Sequence, residues 1–155
     1  MGNNLNYTFL RYFFARVERF IGTEINQTIN SFKNLVKNTG WVNGYHIEHI
    51  LSNNEFNMAL FENEDEFIRE RSRLGSLLLI NSDVNVSSGA EEYQNKLKTY
   101  SHETLWARTL TEDFHHKNPL FAKFTQKYSL DIQPIPKYDK NAVEQRQKQL
   151  FEITK

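Results

Sequence analysis

Two short β-rich runs set among helical periodicities constrain this chain most. The first, residues 41–51, carries Tyr45-His46-Ile47-Glu48-His49-Ile50, and the second is Leu77-Leu78-Leu79-Ile80. The second is too short and too uniformly apolar for a helix, so both are expected as strands. Elsewhere apolar residues recur at helical spacing. Leu5, Phe9, Phe13, Val17 and Phe20 predict a helix ended by Gly22, and Ile25, Ile29, Phe32 and Val36 predict another closed by Gly40. Further helices are expected over 63–73, about 90–100, 104–110 and 119–128, with a last one from an Asp139 cap through Ile153. Gly44 predicts a bulge or a close backbone approach. The fold class expected is α+β, mainly helical, in one domain of 155 residues.

Composition removes several classes of function. Hydrophobic residues make up 39% and aromatics 14%, too rich for a disordered chain. The absence of cysteine excludes disulfides, thiolate metal sites and thiol nucleophiles, and fits a reducing cytoplasm. No apolar run approaches the roughly 20 residues that span a bilayer, so no membrane association is expected. Net charge is formally zero, without the basic excess of many nucleic-acid binders. The charge is uneven, however. Residues 55–70 are acidic, whereas Lys117, Lys123, Lys127, Lys137, Lys140, Arg146 and Lys148 make the last third basic. That third is expected either to follow a phosphate backbone or to form solvated helix faces.

The first strand places a carboxylate, Glu48, beside an imidazole, His49, in an apolar run. A histidine titrates near neutrality and can take a proton from water, while a carboxylate suits a hard cation. Asn81 and Asn85 follow the second strand, and an oxygen ligand there would complete what phosphodiester hydrolysis needs. His46 lies two residues before Glu48 and shares its strand face. The His-Ile-Glu-His run is not the His-Glu-x-x-His zinc pattern, no glycine-rich phosphate loop is present, and no serine sits in a Gly-x-Ser-x-Gly turn. His102, His115 and His116 lack carboxylates at metal-site spacing and are expected to be structural or surface residues.

The series His-Ile-Glu-His-Ile-Leu at 46–51, Arg-x-Arg-Leu-Gly-x-Leu-x-Leu-Ile at 71–80, Asn85 and Tyr-x-x-Lys-Leu at 93–97 resembles one nuclease family. It is similar to the C-terminal HNH (His-Me finger) nuclease domain of GmrSD-type, modification-dependent restriction enzymes and related phage-defence proteins. The opening helix and the tail beginning Ala142-Val143-Glu144 fit the same likeness. The resemblance implies a ββα-metal core over about 41–100, with flanking helices at 5–40 and 101–153. It implies His49 as the base and Glu48 with Asn85 as ligands of a divalent metal, magnesium or manganese in its place. Ser76 takes the position of the asparagine that orients the histidine, and His46, Arg73 and Lys96 are candidate substrate contacts. Lys96 by itself reads equally as a solvent-exposed lysine, and Glu48 as an ion-pair partner of Arg71 or Arg73. DNA is the implied substrate, in restriction or antiviral defence. An N-terminal ParB-like nucleotide-binding domain is the implied partner, so the chain is expected to be a fragment or subunit of a larger protein.

The sequence departs from the family pattern at Ser76, at Ser52 where a proline is usual, and at Ala90 where a further asparagine is usual. These departures define a second expectation, a nuclease-like module with weakened catalysis that binds DNA or docks protein.

Overall fold

Asn6 starts the first helix, its side-chain oxygen accepting the Phe9 amide at 3.0 Å. This helix, α1 (Tyr7–Glu24), buries Leu10, Phe14, Val17 and Ile21 along one stripe. Each such side chain contributes about 1.5–3 kcal/mol of hydrophobic stabilisation. The computed structural model describes residues 6–41, 43–83 and 91–155. Gly22 does not end α1. It lies inside the helix, where an added Cβ would meet Ile29 Cγ2 at 2.8 Å. The turn comes at Asn26, which takes the left-handed conformation at φ 55. The second helix is therefore shorter than its apolar spacing predicts: α2 (Phe32–Lys37) begins only where Ser31 caps Asn34 at 3.1 Å.

The strands are β1 (Tyr45–His49) and β2 (Leu77–Asn81), paired antiparallel from Tyr45 opposite Asn81 to His49 opposite Leu77. Just before β1, a Cβ on Gly44 would lie 2.0 Å from the Gly40 carbonyl oxygen, which is the close approach expected there. No bulge interrupts the register. Between the strands run α3 (Glu55–Met58), unexpected from sequence, α4 (Glu64–Arg71) and a 3-10 turn (Leu74–Ser76).

After β2 come α5 (Tyr93–Tyr100), α6 (Leu105–Arg108), α7 (Glu112–Lys117), α8 (Pro119–Lys127) and α9 (Lys140–Ile153). Asp139 caps α9 as expected, accepting the Ala142 amide at 3.0 Å. The architecture is mainly helical α+β around a small two-stranded sheet. Its core runs from α1 through the strands to α9.

One cation of the basic last third belongs to the core, and three others are paired. Arg146 is 0% exposed, lies 3.6 Å from the centre of the Trp106 ring, and donates to Thr109 Oγ1 and the Trp106 carbonyl. Lys117, Lys127 and Lys140 pair with Asp113, Glu24 and Glu66.

Candidate functional site

The site grows from the end of β1. Strand alternation sends Glu48 and His49 to opposite faces of the hairpin. Glu48 is 2% exposed. One of its oxygens accepts the Tyr100 hydroxyl at 2.8 Å, and the other lies 3.5 Å from Lys96 Nζ. Both partners come from α5, whose buried positions Tyr93, Lys96 and Tyr100 recur at helical spacing. Lys96 is itself 0% exposed, and its ammonium also donates to the carbonyls of His49 at 2.9 Å and Ile50 at 3.2 Å. It is not a solvated lysine. A phosphate could reach it only by displacing these acceptors. Arg71 and Arg73, the other partners weighed for Glu48, bond elsewhere.

His49 is half-buried, so its ring stays within reach of a substrate. Burial, and then the nearby charges of Arg71 and Lys96, push its pKa down to about 4. The imidazole is therefore unprotonated at neutral pH. Burial lowers the Lys96 pKa despite the opposing Glu48 charge, and burial followed by that same charge raises Tyr100 well above the usual phenol range.

Arg71 is the residue whose place the sequence does not disclose. Its Nε donates to the Leu51 carbonyl at 3.1 Å, and its guanidinium lies 5.9 Å from the Phe67 ring centre. Half-buried and charged, it adds to burial in depressing the His49 pKa. The only forewarning was its place in the Arg-x-Arg-Leu-Gly run. Arg73, the arginine expected to touch substrate, binds Glu70 at 3.0 Å and Glu144 at 2.7 Å, tying α4 to α9.

Ser76 is fully buried. Its hydroxyl donates to the Glu70 carbonyl at 2.7 Å, and its own carbonyl accepts the Ile50 amide at 2.9 Å. Its link to His49 therefore runs through the backbone of the next residue. Ser52 joins the segment after β1 to the start of α5, donating to the Glu91 carbonyl at 3.0 Å. The His46 ring bonds the Thr39 carbonyl at 2.9 Å and meets Trp41 edge-on at 4.6 Å, so it braces the loop before β1. Asn85 and Ala90 lie outside the described residues. Among the described residues no three His, Cys, Asp or Glu side chains converge as a metal cluster. A carboxylate is the donor a hard, oxygen-seeking cation prefers, but the Glu48 oxygens are buried against Tyr100 and Lys96, so such an ion would have to displace the Lys96 ammonium. A cavity of about 480 Å³ lies apart, lined by Asp131, Asn141, Lys148 and Gln149 among others.

The family described as GmrSD restriction endonucleases, C-terminal domain, matches residues 2–153. The chain belongs to this family. Membership of the GmrSD C-terminal domains points to a restriction-endonuclease role and covers the helices flanking the hairpin as well as the hairpin itself. Among curated proteins and among solved structures, none matches the chain. Among the described residues, no helix of this GmrSD-type domain is long and apolar enough to cross a membrane.

Proposed function

We propose that this chain is a metal-dependent DNA endonuclease of the HNH type, hydrolysing phosphodiester bonds in restriction or phage defence. The observation that carries this reading is the half-buried, unprotonated His49 placed directly after the Glu48 carboxylate at the end of β1. Two antiparallel strands followed by α5, which reaches back to Glu48 through Lys96 and Tyr100, support a ββα-metal arrangement.

His49 takes a proton from the attacking water as the new P–O bond forms, and the opposite P–O bond breaks with the leaving oxygen protonated from solvent. Such a base contributes about 10²- to 10⁴-fold to rate. Its low pKa is set for the free protein, and a bound phosphodiester would offset the Arg71 charge and strengthen the base. Arg71, whose Nε donates to the Leu51 carbonyl and which, among the described residues, pairs with no carboxylate, is the cation we assign to the substrate phosphate, in preference to Arg73, paired with Glu70 and Glu144, and Lys96, buried against Glu48. Glu48 with Asn85 would hold the divalent ion, magnesium or manganese. When bound, that ion neutralises phosphate oxygens and stabilises the leaving oxygen. Ser76 positions His49 through the Ile50 amide. A ParB-like nucleotide-binding domain on the N-terminal side would select the DNA, and the work would take place in the cytoplasm.

Supercoiled plasmid with added magnesium or manganese tests this reading. Nicking by the wild type that disappears in a folded His49→Ala protein is expected, and equal nicking by the two proteins would sink the assignment. One observation favours a second reading, a nuclease-like module with weakened catalysis. The Ser76 hydroxyl, standing where the family has an amide, is spent on the Glu70 carbonyl. Absence of both nicking and a metal-binding site sensitive to Glu48→Ala would establish that module instead.

A further inference from the structure

We propose that the outward face of α1 and α2, where Arg16 and Arg19 stand on Tyr12 and Phe32 and are followed by Lys33 and Lys37, is a second contact surface for the phosphate backbone of DNA, outside the cleavage site. The choice of DNA as the polyanion rests on the nuclease reading above.

Tyr12, Arg16, Arg19 and Thr23 recur along the solvent side of α1 at helical spacing and are exposed. Arg16 Nη1 donates to the Tyr12 hydroxyl at 3.1 Å, with its guanidinium 5.7 Å from that ring centre. The Arg19 guanidinium lies 5.8 Å from the Phe32 ring centre, and Phe32 in turn meets Tyr12 edge-on at 5.6 Å. The aromatic rings thus hold two guanidinium groups in place without neutralising them. Among the described residues, no carboxylate pairs with Arg16, Arg19, Lys33 or Lys37, in contrast with Lys117, Lys127 and Lys140. The acids of this segment do not cancel them. Glu18 is buried in the core, and Glu24 is bound by Lys127 and Tyr128. In a chain of zero net charge, this face is a local cationic excess.

Arg16 and Arg19, three residues apart, have Cβ atoms about 5–6 Å from each other, within reach of neighbouring phosphates. Such contacts carry no base information, so this surface adds affinity and salt dependence without sequence preference.

Fluorescence anisotropy with a labelled duplex of about 20 base pairs, in EDTA to prevent cleavage, tests the surface across a sodium chloride series. The Arg16→Gln/Arg19→Gln protein is expected to bind about 10-fold more weakly near 100 mM salt, with the logarithmic salt slope reduced by about 2. A Lys123→Gln/Lys148→Gln control, altering exposed lysines on α8 and α9, is expected to match the wild type. Equal affinity and slope in the arginine variant overturn the proposal. So does a wild type that binds polyglutamate but not DNA. The plasmid assay separates the two claims: arginine-dependent binding without cleavage keeps this surface and removes the nuclease reading, whereas His49-dependent cleavage with unchanged binding removes this surface alone.

Discussion

The Lys96 ammonium lies 3.5 Å from the Glu48 carboxylate, and both side chains are withdrawn from solvent. Removing one member of such a pair leaves a buried charge uncompensated, which costs about 3–5 kcal/mol. Lys96→Met is therefore expected to lower the unfolding free energy by about that amount, with the His49 and Ile50 carbonyls losing their donor as well. Tyr100→Phe removes only one hydrogen bond to the same carboxylate and should cost about 1.5–3 kcal/mol. Urea denaturation of the two variants gives the comparison, and a Lys96→Met protein as stable as the wild type would contradict the pairing.

His49 sets a pH expectation. Its pKa is depressed to about 4 by burial first, then by Arg71 and Lys96. The acid limb of kcat/KM reports the base of the free enzyme. It should therefore fall near pH 4, leaving cleavage flat from about pH 5 upward where an unperturbed histidine near 6.5 would still be titrating. Arg71→Gln removes one depressing charge and should move the limb to higher pH while raising KM. A limb near 6.5 in the wild type, unmoved by Arg71→Gln, would show that neither burial nor Arg71 depresses the titrating base.

Glu18 governs a separate dependence on stability. Its carboxylate accepts the Leu105 amide at 2.8 Å and so caps α6 from 87 residues away. Burial nonetheless raises its pKa from 4.5 to about 7 against the lowering effect of those amides. Because the folded value is the higher one, its contribution is fully present below pH 4.5 and is lost as pH rises through 7. The whole shift corresponds to about 3 kcal/mol. Unfolding free energies at pH 5 and pH 8 should differ less in Glu18→Gln than in the wild type, and an unchanged difference would remove Glu18 as the cause.

The sequence exposed most of the hairpin because strand runs and helical stripes are local patterns. The run 41–51 contains β1, and 77–80 falls within β2. The nearness of Gly40 to Gly44 was legible for the same reason. What stayed hidden depends on distant pairings. Nothing around Glu48 points to Lys96 and Tyr100, although the 93, 96, 100 spacing marks a buried stripe on α5 once the helix is drawn. Arg146 reads as one more cation in a basic tail, and only the packing of Trp106 against it discloses a core residue. The left-handed turn at Asn26 overrode an apolar periodicity that runs through it.

Gly75 links the last helix to the site and supplies the sharpest structural test. Its amide donates to Gln147 Oε1 at 2.7 Å, and its carbonyl accepts the Tyr138 hydroxyl. A Cβ there would lie 2.5 Å from the Val143 carbonyl oxygen and 2.7 Å from the Gln147 amide nitrogen, both backbone atoms of α9. Neither can rotate away, so α9 or the 3-10 turn must shift. The next residue, Ser76, accepts the Ile50 amide immediately after His49, so displacement of the turn passes to the candidate base. Gly75→Ala is expected to destabilise by about 1–3 kcal/mol, as overpacking does. It should also lower kcat more than it raises KM, since the ring is misplaced while Arg71 remains. Gln147→Ala removes the same anchor without adding volume and should cost less stability. Steady-state nicking kinetics alongside urea denaturation read both effects, and a Gly75→Ala protein with native kinetics and native stability would rule out the coupling.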